Sequence, residues 1–111
     1  AFQQFGGPYA SRMPVISGDG DANFVHWWIG QKQKNGYKTL SMNAAPSISQ
    51  AALWVAIEIV NGRKVPKYMK MSASTVTNDT VEQFSGLKPG TAVASEYSPD
   101  WVRRNLLNQK N

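Results

Sequence analysis

The stretch from Thr39 to Gly62 constrains this chain more than any other. An alternating run, Tyr37 to Met42, reads as a strand, with Tyr37, Thr39 and Ser41 on one side and Leu40 and Met42 on the other. Ala44-Ala45-Pro46 breaks it, because Pro46 has no N–H to give to a ladder. Helical periodicity then runs from about Ser47 to Asn61, and Asn61-Gly62 supplies a left-handed stop. Ile48, Ala51, Ala52, Val55, Ile59 and Val60 form a broad apolar stripe, with Trp54, Ile57 and Glu58 mostly off its centre. A strand that gives way to a helix across a short loop is an α/β unit. Asn43 stands at the strand edge, where open α/β folds bind ligands.

The flanks extend the pattern. Val15-Ile16-Ser17 is a short β-prone run stopped by Gly18-Asp19-Gly20-Asp21. Asn23 to Lys34 reads as helix, with Phe24, Trp27, Trp28 and Gln31 at helical spacing and Asn35-Gly36 as its end. Asp21 or Asn23 can cap its start. Beyond Gly62, Arg63 to Lys67 is a loop and Tyr68 to Val76 an extended segment. Thr77-Asn78-Asp79 is a turn or cap, Val81 to Phe84 a short helical piece, and Ser98-Pro99-Asp100 a helix start with an N1 proline. The first residues, Ala1 to Pro8, look like the last turn of a helix with Gly6 or Gly7 as its cap. A helix end without its beginning points to a chain cut from something longer. Strand and helix alternate, and this predicts parallel pairing with right-handed crossovers.

Composition narrows the possibilities. A length of 111 residues suits one small domain, and 41% hydrophobic with 17% charged residues is a globular balance. With no cysteine, a disulfide framework and a thiolate metal site are excluded. The net charge of +5 raises nucleic acid as a partner, but the basic residues are scattered through loops and helix ends. A binding footprint is a clustered patch, so no nucleic-acid partner is expected. No apolar run reaches the length of a membrane span.

Few residues carry ligand chemistry. Asp19 lies between two glycines at a strand end, where a carboxylate can accept two hydroxyls and backbone can approach a ligand; the plainer role is a turn aspartate. Asp21 is a second candidate contact, although a helix cap is the better reading. Together the two aspartates could begin a Ca²⁺ loop, but the remaining ligands at their required spacing are missing, so no metal is expected. Asn43 offers both a donor and acceptor, suited to a hydroxyl or to satisfying a hinge backbone. Trp27 and Trp28 point about 100° apart on a helix, so both cannot face one ligand; one in the core and one partly exposed is the expectation. His26 has no partner for metal or base chemistry. No phosphate loop or nucleophile elbow is present, and no enzyme and no cofactor are expected.

Glu58 to Lys67 (Glu-Ile-Val-Asn-Gly-Arg-Lys-Val-Pro-Lys), followed by Val76-Thr-Asn-Asp-Thr80, resembles the C-terminal part of type I periplasmic sugar-binding proteins, the ribose-binding-like receptors of ABC importers. Val15 to Gly20, Asn23-Phe24 with Trp27-Trp28, and the tail Tyr97 to Trp101 are similar to the same group, so the resemblance covers nearly the whole chain. It implies an α/β, parallel-sheet, three-layer fold of the type I kind, present as a C-terminal fragment. Residues 1–43 would belong to the C-terminal lobe, 44–72 would cross to the N-terminal lobe, and 73–111 would return as lobe and tail. The resemblance also implies a periplasmic solute receptor that closes two hinged lobes on a small polyhydroxylated solute and serves a membrane permease. Asp19 and Asn43 align with the family's hydroxyl-binding carboxylate and amide. The alternative is the effector-binding core of a LacI-type repressor, and less favoured is a basic binding module. Three strands split between two lobes cannot close either core alone. The piece is therefore expected to exchange elements with a copy of itself or to need a missing N-terminal segment.

Overall fold

Asp21 starts a long helix: its Oδ1 accepts from the N–H of Asn23 at 2.9 Å and of Phe24 at 3.2 Å. The computed structural model describes residues 4, 6–8, 12–44 and 47–109. Helix α1 spans Ala22–Asn35 and ends at Gly36, whose φ of 71° permits the left-handed stop. Its inner face, Ala22, Val25 and Trp28, is buried. Val25 and Trp28 form a first core cluster with Tyr37, Val76, Val81 and Val93. The expected N-terminal helix end lies mostly outside the described residues, although Gly6 and Gly7 do hold left-handed φ values.

Strands β1 (Ser41–Asn43) and β2 (Ser74–Val76) pair antiparallel, with Ser41 opposite Val76, Met42 opposite Thr75 and Asn43 opposite Ser74. This overturns the parallel pairing expected from the alternation and the three-layer type I sheet implied by the resemblance. A parallel βαβ unit needs its helix to fold back onto the sheet. Here helix α2 (Ile48–Val60) packs instead against helix α3 (Pro99–Asn105). The chain leaves through β1 and comes back through β2, so the two run in opposite directions. Gly18 and Ser41 form an isolated parallel bridge.

The expected strand at Val15–Ser17 is tied down by hydroxyls rather than by a ladder. The Tyr37 hydroxyl donates to the Pro14 carbonyl at 2.7 Å and accepts from the Ile16 N–H at 2.8 Å. Thr39 Oγ1 donates to the Ile16 carbonyl, and Ser17 Oγ donates to the Leu40 carbonyl at 3.0 Å. Side chains thus occupy the backbone groups that a strand would pair, and Pro14 has no N–H to offer.

A second cluster gathers Ala51 and Val55 of α2 with Tyr97, Val102 and Leu106. Ser98 caps α3, its Oγ accepting from the Trp101 N–H at 3.1 Å, and Pro99 is the first helical residue. Tyr97 meets Trp101 edge-on with ring centroids 4.7 Å apart. The charged residue of α2, Glu58, points inward at 4% exposure and is held by the guanidinium groups of Arg103, at 2.8 Å, and Arg63. The buried face of α2 is therefore Ala51, Val55 and Glu58. Ala52, Ile59 and Val60, expected on it, are exposed.

The two clusters sit end to end. The molecule measures 62 × 28 × 23 Å, with a radius of gyration of 18.5 Å. A compact chain of this length would have about 13 Å.

Candidate ligand site at the crossing segments

Three stretches of backbone join the clusters: the exit from β1 after Asn43, the approach to β2 through Ser72 and Ala73, and the run from Val93 to Tyr97. Val93 opens the third stretch and is bonded to Asn43 at the start of the first. Its N–H donates to the Gly20 carbonyl at 2.7 Å, and its carbonyl accepts from Asn43 Nδ2 at 3.2 Å. Beside it the Ala22 N–H donates to the Thr91 carbonyl at 2.9 Å. A Cβ on Gly20 would stand 3.2 Å from Val93 Cβ and 3.5 Å from Ser41 Oγ, so the close approach of these strands depends on glycine there.

Asn43 is therefore bound into the junction by one amide proton. The other proton and the carbonyl oxygen are the groups a hydroxyl could meet. Asp19 immediately precedes Gly20 and is exposed. Through Gly20 and Val93 the structure connects the neighbourhoods of both candidates within one short network. Gly18, on the other side of Asp19, carries the Phe24 ring over it: a Cβ there would lie 3.2 Å from two ring carbons. The Asp21 carboxylate is engaged in capping α1.

Trp28 is fully buried and its indole N–H donates to Asn78 Oδ1 at 2.9 Å, while Trp27 is partly exposed and meets Tyr37 edge-on at 5.3 Å. His26 lies at the surface with Nε2 3.1 Å from the Ser85 carbonyl. The hydroxyl of Ser41, completely buried, has no hydrogen-bond partner among the described residues.

A cavity of about 390 Å³ opens on the second-cluster side of the junction. Ser72, Ser74 and Ser95 line it with Tyr97, Trp101 and Asn105. Ser74 is the register partner of Asn43, and its Oγ lies 3.3 Å from that of Ser95. Asp19 and Asn43 are not among the lining residues. At one end Gln109 clasps Lys70, donating to its carbonyl and accepting from its N–H, both at 2.8 Å.

Sequence reasoning missed Val93, Ser74 and Ser95. Val93 and Ser95 lie in an irregular stretch and Ser74 opens β2, and what each meets is set by tertiary contact, which local periodicity does not encode. The one available signal is the glycine pair around Asp19, which announces that some backbone must come close.

No protein-family model matches the chain, and no curated protein matches it. A solved structure is similar: the crystal structure of an ABC transporter solute binding protein from Thermobispora bispora, at 22% identity and a TM-score of 0.76. The match covers 88% of this chain and 31% of that one, so this chain spans about a third of the length of the protein it resembles. The chain therefore has the fold of one part of an ABC transporter solute binding protein.

Proposed function

We propose that this chain serves solute capture for an ABC importer, without catalysis and outside the cytoplasm, its ligand a small polyhydroxylated solute such as a sugar, its partner a membrane permease. The fold likeness supports the transport role. The junction at Val93 supports the ligand class. It ties Asn43 to Gly20, the residue after the exposed Asp19, and the Phe24 ring packs on Gly18, the residue before it. Carboxylate and amide oxygens accept from sugar hydroxyls, and an aromatic ring packs on the apolar face of a pyranose. In this reading the crossing segments act as hinges on which one cluster closes towards the other.

The observation that carries the proposal is the Asn43–Val93–Gly20 link. It is tested by isothermal titration calorimetry of the protein against a panel of pentoses, hexoses and sugar alcohols. Asp19→Ala removes a hydrogen bond to a charged group, worth about 1.5–3 kcal/mol, or a loss of roughly 10- to 150-fold in affinity. An unchanged Kd in Asp19→Ala, or heat with none of the panel, rules out this assignment.

A further inference from the structure

The chain holds two Asn-Gly pairs, Asn35-Gly36 and Asn61-Gly62, and each closes a helix. Such a pair is chemically labile. The glycine backbone nitrogen can attack the asparagine side-chain carbonyl carbon, because no Cβ on the glycine stands in the way. A bond forms between that nitrogen and Cγ, the Cγ–Nδ2 bond breaks, and ammonia leaves. Water then opens the succinimide ring to aspartate or isoaspartate. The step needs no oxidant, reductant or metal.

The fold treats the two pairs differently. The Asn35 amide is held at both ends: its Oδ1 accepts from the Tyr37 N–H at 3.1 Å, and its Nδ2 donates to Gln31 Oε1 at 3.4 Å. Both bonds must break before Cγ can turn to the Gly36 nitrogen. Asn61 is exposed, and its side chain has no hydrogen-bond partner among the described residues. The glycines themselves are alike. Gly36 N–H donates to the Lys32 carbonyl and Gly62 N–H to the Ile59 carbonyl, both at 2.9 Å, and a Cβ on either would meet nothing within 4 Å. The side-chain bonds therefore set the two pairs apart, not crowding or the backbone.

We infer that Asn61 is a site of spontaneous deamidation, and that its conversion loosens the arginine clamp on Glu58. The turn after Asn61 is fixed by the Arg63 N–H, which donates to the Glu58 carbonyl at 3.0 Å. That turn sets the Arg63 guanidinium on the buried Glu58 carboxylate. Isoaspartate lengthens the backbone by a methylene inside the turn. Either product also puts negative charge at the C-terminal end of α2, where the helix dipole disfavours it, and offers Arg63 a rival carboxylate. None of this depends on the proposed solute.

The protein is aged in mildly alkaline buffer, folded and in urea, and digested with trypsin. The two asparagines fall in separate peptides, 35–38 and 39–63, and fragment-ion mass spectrometry follows amide turning to acid at each. The expected result for the folded protein is conversion about tenfold faster at Asn61 than at Asn35, the factor that about 1.4 kcal/mol of hydrogen bonding gives. In urea the two rates converge. On ageing, the urea midpoint of the unaltered protein falls. That of Asn61→Gln, whose longer side chain closes a ring slowly, holds, and Arg63→Ala loses less, having no clamp to release. Equal rates in the folded protein, or faster conversion at Asn35, overturn the inference. So does a tenfold difference that persists in urea, since sequence and not fold then sets it. An ageing loss as large in Asn61→Gln or in Arg63→Ala as in the unaltered protein overturns the link to the clamp.

Discussion

Asn78 is the residue whose removal tests the packing of the first cluster most sharply. Its Oδ1 accepts from the Trp28 indole N–H at 2.9 Å and from the Thr39 N–H at 3.3 Å, joining α1 to the approach of β1. In Asn78→Ala the indole N–H is left in a fully buried side chain, and an unsatisfied buried donor costs about 1–3 kcal/mol. Thr39 is half-buried and its N–H can turn to water, so the expected total is about 2 kcal/mol. Trp28→Phe removes the donor and leaves a gap of roughly 35 Å³, which at about 24 cal/mol per Å³ adds about 0.8 kcal/mol to the lost bond. In the double variant the acceptor and donor go together, so the two costs fall short of adding by about 1 kcal/mol. Urea unfolding followed by far-UV circular dichroism measures all four proteins without relying on the lost fluorophore. Additivity within 0.3 kcal/mol, or a cost below about 0.5 kcal/mol for Asn78→Ala, would refute the reasoning.

Further outcomes follow from single contacts. Asp21→Ala should lower stability by about 1 kcal/mol through the lost cap on α1, with Asp21→Asn nearly neutral; equal losses in both would show that the charge and not the cap matters. Gly20→Ala should destabilise by about 1–3 kcal/mol, because its Cβ meets Val93 at 3.2 Å; an unchanged urea midpoint would show that the junction yields freely. The Lys32 ammonium, hydrogen-bonded to Glu82, holds that carboxyl below its ordinary value of 4.5. A lowered native pKa means that the unfolded state binds more protons in acid. The contribution is complete above 4.5 and is lost as the pH falls through the native value. Glu82→Gln should flatten the acid limb of the stability profile, and an identical limb in both proteins would exclude this pair as its source.

Local chemistry was legible where one residue decides it. Asp21 and Ser98 announce helix starts, Asn35-Gly36 announces a stop, and all three positions behave so in the structure. Pairing was not legible, because the alternation of strand and helix has two solutions and only tertiary packing chooses between them. The helix α2 rests on α3, and that contact turns an expected parallel sheet into an antiparallel pair. The face α2 buries was misjudged for a related reason. Ile59 and Val60 are more apolar than Glu58, yet Glu58 is buried because Arg63 and Arg103 stand beside it to neutralise it. At the candidate site, glycines around Asp19 signalled a close approach, but not that Val93, far along the chain, is what approaches.

The two clusters are interleaved along the chain. One draws on α1, Tyr37, Val76, Val81 and Val93; the other takes residues before Val76 and after Val93. Neither can be cut out as one continuous stretch. A protease that nicks the exposed loop at Asn61–Lys64 therefore produces two pieces that stay entangled, each still seated in a core it shares with the other. Only loss of the whole packing arrangement would let them drift apart.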